Sequence, residues 1–189
     1  GGPLGSVVGG VVQHFMTKIF QKSLKRNLSA IRDEGGFVTC LVAALTHVCM
    51  GKGMVSINQT KVIYKFFAKN LGYNGEGLKY INEIIKEAKQ INPDILYLTE
   101  NYKKSTAGNY ILLLLALAYQ IALVDEGLIA NVQERINFLA NSLGVDPEDH
   151  NRIRAKFSLD ALKTPYCILG ISSSVSDEEI KTAYRQKVS

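Results

Sequence analysis

Residues able to do covalent or metal chemistry are few in this 189-residue chain, and their spacing does not favour it. The three cysteines, Cys40, Cys49 and Cys167, form no CxxC pair and leave an odd thiol. That points to a reducing compartment and ordinary buried thiols. The histidines, His14, His47 and His150, stand far apart in the chain. His47 and Cys49 are two positions apart, which sends them to different sides of a helix, so no metal centre is expected. Gly51-Lys52-Gly53 lacks the spacing of a phosphate-binding loop and HExxH is absent. No nucleophile, base and orienting group stand out together. Neither catalysis nor a cofactor is expected.

What remains is charge. The 22 Lys and Arg exceed the 17 Asp and Glu, a formal net charge of +5, but the two signs are interspersed. No basic block is interleaved with aromatics, so nucleic-acid binding is not expected. The excess suits an acidic protein surface or an anionic lipid equally.

Helical periodicity and capping residues recur while strand signals are scarce, so the chain is expected to be all-α. Residues 1–12, GGPLGSVVGGVV, hold Gly5 and Gly9 in GxxxG spacing, a pattern that lets membrane helices approach and dimerise. Three readings compete: a cloning remnant in GPLGS, a trimmed membrane anchor, or a flexible tail. The continuing Gly9-Gly10-Val11-Val12 pattern favours the anchor, although the run is shorter than the roughly 20 residues of a span. Residues 13–35 read as a basic amphipathic helix with Phe15, Ile19, Phe20, Leu24, Leu28 and Ile31 on one stripe. Its Lys18, Lys22, Lys25 and Arg26 meet anionic lipid or simply face water, and Gly35-Gly36 breaks it.

Residues 36–157 read as one helical domain. An apolar helix runs from Phe37 to Met50, and Ser56 with Gln59 has capping-box spacing for the next helix, which stops at Gly72. Gly75 and Gly77 are expected to loosen a loop. An amphipathic helix follows from Leu78 to Ile91, broken by Asn92-Pro93-Asp94. Tyr110 to Val124 is apolar on nearly every side and is expected at the centre of the core. Asp146-Pro147 starts a helix to about Phe157, and residues 158–163 read as a linker.

Residues 164–189, TPYCILGISSSVSDEEIKTAYRQKVS, read as a short helix, a polar turn and a second helix. Pro165 suits a first helical turn and Gly170 a stop. Ser176 and Glu179 have capping-box spacing, with Asp177 and Glu178 at the helix N-terminus. Ile180, Ala183 and Tyr184 form the apolar stripe, with Lys181 and Arg185 one turn apart on another face and Lys187 nearby. Pro165-Tyr166, Leu169-Gly170-Ile171 and Asp177-Glu178-Glu179-Ile180-Lys181 running into Ala183-Tyr184-Arg185 resemble the start of a J domain, the module by which DnaJ-like co-chaperones engage Hsp70. The resemblance implies that Lys181, Arg185 and Lys187 meet an acidic Hsp70 surface. The His-Pro-Asp turn that follows the second helix of J domains would lie past Ser189.

Residues 36–157 also contain one unit twice. An apolar helix runs into Gly51-Lys52-Gly53, then a helix ending in Asn70-Leu71-Gly72. A second runs into Asp125-Glu126-Gly127, then a helix ending in Ser142-Leu143-Gly144. This resembles the TerB-like (tellurite-resistance) domain, whose halves carry an Ala-Asp-Gly turn before the second helix. Lys52 stands where that family would place an Asp. With Asp125 or Glu126 in the second turn, an ion pair between the halves, or solvated charges, is expected rather than the several oxygen ligands a metal would need. A TerB-like domain ahead of a J domain, behind a Gly-rich apolar N-terminus, is similar to the membrane-anchored DjlA-type co-chaperones. That resemblance implies an Hsp70 partner, client proteins, and a place at the cytoplasmic face of a membrane. The alternative is a membrane-associated interaction or sensing module with a degenerate J segment.

Overall fold

The structure, a computed structural model, describes residues 33–169 except Ala107 and Glu126, with side chains described as far as Ser158, Asn109 excepted. The tail, the basic helix expected over residues 13–35 up to Asp33, and Lys181, Arg185 and Lys187 lie outside the described residues. The described part is all-α. Seven α-helices follow one another: α1 Glu34–Cys49, α2 Ile57–Leu71, α3 Gly75–Ile91, α4 Ile95–Ser105, α5 Asn109–Ala122, α6 Ala130–Ser142 and α7 Pro147–Leu169, with a 3-10 turn at Met50–Lys52 after α1.

Two helices form the centre because neither has a polar face to give to water. In α1, Phe37, Val38, Cys40 to Thr46, Val48 and Cys49 are all buried. In α5, Tyr110, Leu113 to Tyr119 and Ile121 are buried. A helix apolar on all sides has to be surrounded, and α1 is, by α3, α4, α5 and α6. The more amphipathic helices do the surrounding. In α3, Ile81, Ile84, Ile85 and Ala88 face inward. Phe37 sits at the middle of an aromatic group, with ring centroids 5.5 Å from Tyr110, 5.7 Å from Tyr102 and 6.5 Å from Phe67. Tyr102 is completely buried, and its hydroxyl donates to the Tyr110 carbonyl at 2.7 Å, which removes the cost of hiding the polar group. The stretch Glu34–Lys52 is long and apolar enough to cross a membrane by length and composition, but 61% of its apolar window is buried by the rest of the molecule. That is also what a core helix looks like.

Several glycines sit differently from the sequence expectation. Gly35 and Gly36 do not end a helix; they form the first turn of α1, after Asp33, which caps it by accepting from Gly36 N at 3.1 Å. A Cβ on Gly36 would lie 2.6 Å from Asp33 Oδ2, so the cap and the glycine require each other. Gly75 and Gly77 likewise belong to the first turn of α3 rather than to a loop, and a Cβ on Gly77 would press on the Tyr73 ring at 2.8 Å. The stops at Gly72 and Gly144 are left-handed, with φ of 68° and 72°. Glycine takes that conformation without a steric penalty.

Residues 158–163 lie past the end, at about Phe157, that the sequence suggested for the last helix of the domain. They are helical, and α7 passes through them and through Thr164 and Pro165 to Leu169. The physical reason is that this stretch contains neither Gly nor Pro, and Ala161, Leu162 and Lys163 are strong helix formers. Inside the helix, Pro165 lacks the N–H that would bond the Ala161 carbonyl. The first half of α7 is tied to the core by buried Ile153 and Phe157, the latter stacked on Tyr119 at 5.6 Å.

The Asp33–Gly36 pair gives a stability test. Asp33→Ala should cost about 1 kcal/mol in urea unfolding, the usual worth of an N-cap. Gly36→Ala should cost more when Asp33 is present than when it is Ala, because the clash is with that carboxylate. Equal costs in both backgrounds would reject this account of the turn.

Candidate functional site

The polar residues that the fold gathers most densely join the start of α2 to the end of α5. Ser56 caps α2: its Oγ accepts from Gln59 N at 3.1 Å, and Gln59 Oε1 accepts from Ser56 N at 2.9 Å. Gln59 is buried, and its other end donates from Nε2 to the Ile121 carbonyl at 3.3 Å. That carbonyl belongs to the last turn of α5, where intrahelical partners run out. One side chain therefore satisfies an orphan group at each helix end.

Asp125 closes the junction. Ser56 Oγ donates to its Oδ2 at 2.5 Å, Asn58 Nδ2 donates to its Oδ1 at 2.7 Å, and Lys52 Nζ lies 3.5 Å from Oδ2. The sequence left Asp125 and Glu126 as alternative partners for Lys52; the ion pair here is with Asp125, and Glu126 lies outside the described residues. The Ser56 and Asn58 hydrogen bonds, helped by Lys52, hold the Asp125 carboxyl below the usual range against the opposing effect of burial. The positive N-terminus of α2 acts in the same direction. Chemically this is a latch. The Ser56 hydroxyl is committed both to the cap and to the carboxylate, and no imidazole is among its partners. Nearby Cys49 is a buried, neutral thiol, its pKa pushed up to about 12 by burial. Among the described residues no group of three or more His, Cys, Asp or Glu is placed to hold a metal ion.

Sequence reasoning read Ser56 and Gln59 only as a cap, and Asn58 not at all. The repeat pattern was the available signal, since it sets the 51–58 turn against the 123–127 turn. A second junction left no sequence signal. Tyr119 OH lies 2.7 Å from His150 Nε2, and Gln133 Nε2 donates to the same hydroxyl at 3.1 Å, joining α5, α6 and α7. Burial, then the charge of Arg154, hold His150 below its usual range.

An open groove of about 290 Å³ lies between α1, α3 and α4. Ala43, Ile84, Ile91 and Tyr97 give it apolar walls, while Glu83 and Glu87 are the charged residues of its lining. Ile91 and Tyr97 are each 63% exposed, high for large apolar side chains on a free surface. Compared with known proteins, the chain matches no family model, no curated protein and no solved structure.

Two outcomes follow from these junctions. A double-mutant cycle of Ser56→Ala and Asp125→Ala should show coupling of about 1–2 kcal/mol, as for a hydrogen bond to a charged group; additive effects would mean the two act separately. For His150, a depressed folded pKa means its contribution is complete above the unfolded value of about 6.5 and is lost as pH falls through the lower folded value. Stability measured by urea unfolding should therefore drop from pH 7 to pH 5. His150→Gln should flatten that drop in part, the remainder coming from His47, which is shifted in the same direction. An unchanged slope would show that burial and Arg154 do not hold His150 below its usual range.

Proposed function

We propose that this chain is the non-catalytic part of a DnaJ-like co-chaperone, in which residues 164–189 engage an Hsp70 and the helical domain positions client proteins at the cytoplasmic face of a membrane. The observation that carries the reading is the J-like sequence itself, from Pro165-Tyr166 through Asp177-Glu178-Glu179-Ile180-Lys181 to Arg185. Its support from the fold is that the opening of this segment is continuous with α7, which is seated on the core through Ile153 and Phe157. A module that acts on a bound partner needs such a connection to the domain that holds the client.

The rest of the molecule is compatible with a holding role. Its densest polar cluster joins helix ends instead of presenting an activated nucleophile. The groove beside Tyr97 and Ile91, with Glu83 and Glu87 in its lining, suits an apolar client segment flanked by cations. The TerB-like arrangement belongs to this proposal as well: Lys52 paired with Asp125 links the two turns where that family would be expected to carry acidic residues in both. In this reading Lys181, Arg185 and Lys187 supply the positive surface for Hsp70, and residues 1–12 supply the anchor.

The test is single-turnover ATP hydrolysis by the host's Hsp70, using the chain carried past Ser189 through the next turn. Stimulation is expected, and Lys181→Glu with Arg185→Glu should reduce it on the order of tenfold without lowering the melting temperature, since such charges act on encounter and orientation. No stimulation by the extended chain, or full stimulation by the charge-reversed one, would reject the proposal.

A further inference from the structure

A second concave site adjoins the groove, sharing Ala43, Ala88 and Pro93 with it, where the C-terminal ends of α1 and α3 meet α6. The cavity, about 190 Å³, is walled by Ala43, Met50, Ala88 and Pro93, and its polar lining is His47, Lys89, Asn92 and Arg135. No carboxylate lines it. Two cations in one concavity with no anionic partner repel each other, and the apolar walls weaken the screening. A volume below that of ordinary small-molecule pockets suits a single small group.

Arg135 is set in place by the backbone around it. Its Nη1 donates to the His47 carbonyl at 2.7 Å and lies 3.4 Å from His47 Nδ1. A Cβ on Gly51 would stand 3.1 Å from Arg135 Cδ, so the glycine leaves room for the arginine stem. Since arginine only donates, Nδ1 is the accepting nitrogen of His47 and the ring proton is on Nε2. The Asn92 side chain acts on the imidazole in the direction that raises its pKa, against burial and Arg135. Capping the end of α1 uses only one nitrogen of the guanidinium. Nε and Nη2, three N–H donors in a fork, have no partner among the described residues, nor does the ammonium of Lys89.

We propose that this cavity binds a phosphate group, with the free fork of Arg135 gripping two oxygens, Lys89 closing from the rim and the Asn92 amide donating to a third. The fork geometry is what separates this from a merely positive patch, because a planar pair of donors matches an oxyanion and not a halide. Lys89 is exposed, so both a free phosphate and the phosphomonoester headgroup of a lipid could reach it.

The experiment is a phosphate titration of the isotope-labelled full chain at constant ionic strength, reading the Arg135 Nε–H and His47 ring resonances. Saturable shifts at both residues are expected. Lys89→Ala should weaken binding on the order of tenfold without changing the unliganded melting temperature, and Arg135→Lys, which keeps the charge but not the fork, should weaken it as well. Bound phosphate should also raise the pKa of His47, which burial and Arg135 now hold low. Co-sedimentation with phosphatidylcholine vesicles, with and without phosphatidic acid, separates the sources. Association that needs phosphatidic acid and is lost in Lys89→Ala would assign the site to a lipid headgroup; saturation by inorganic phosphate with no such association would assign it to the free anion. Shifts that do not saturate, that map elsewhere, or that match an equal dose of chloride, with no phosphatidic-acid-dependent sedimentation, would overturn the proposal.

Discussion

The structure depends on the need to enclose two helices that have no solvated side. Phe37, Val38, Cys40, Val42 and Ala43 point in different directions around α1, and all are buried. The same holds for Leu113, Leu114, Leu115, Leu117 and Ile121 around α5. Enclosure on all sides takes more neighbours than a simple hairpin can offer. This explains why α3, α4 and α6 all press on α1, and why α2, α6 and α7 reach α5. The amphipathic helices have a choice of neighbour; the two central ones do not.

Burying helices end to end creates a second demand, because their terminal carbonyls and amides go with them. The polar junctions are the answer to it. Gln59 meets the Ile121 carbonyl at the end of α5, Arg135 meets the His47 carbonyl near the end of α1, and Ser56 serves α2 while tethering Asp125. Gln59 and Arg135 come from a different helix than the carbonyl each satisfies, and Ser56 ties its own helix cap to a carboxylate of another turn. They therefore do more than cap; they fix how one helix sits on another. Left unmade, each would cost more than the modest net worth of the bond.

The same logic separates the latch from the cavity at Arg135. At the latch, donors and acceptors balance: one carboxylate receives a hydroxyl, an amide and an ammonium. At the cavity they do not, since the guanidinium has donors to spare and Lys89 has no acceptor among the described residues. A balanced cluster holds a fold together, whereas a surplus of one sign in a concavity leaves room for a ligand of the other.

By itself the sequence determined the all-α class, because helical periodicity is written in local spacing: Ile81, Ile84, Ile85 and Ala88 share a face whatever lies opposite. It also determined the caps at Ser56 and Asp146 and the stops at Gly72 and Gly144, which are interactions within a few residues. It misjudged Gly35, Gly36, Gly75 and Gly77, since a glycine can end one helix or open the next, and only the neighbours, Asp33 and Tyr73, decide which. It likewise ended the last helix of the domain at about Phe157, where α7 continues to Leu169. Tertiary structure alone decided that Asn58 would reach Asp125, that His150 would meet Tyr119, and that Arg135 would sit over His47, 88 residues away. Such contacts follow from how whole helices pack around the core, and no local spacing encodes where a distant side chain will land.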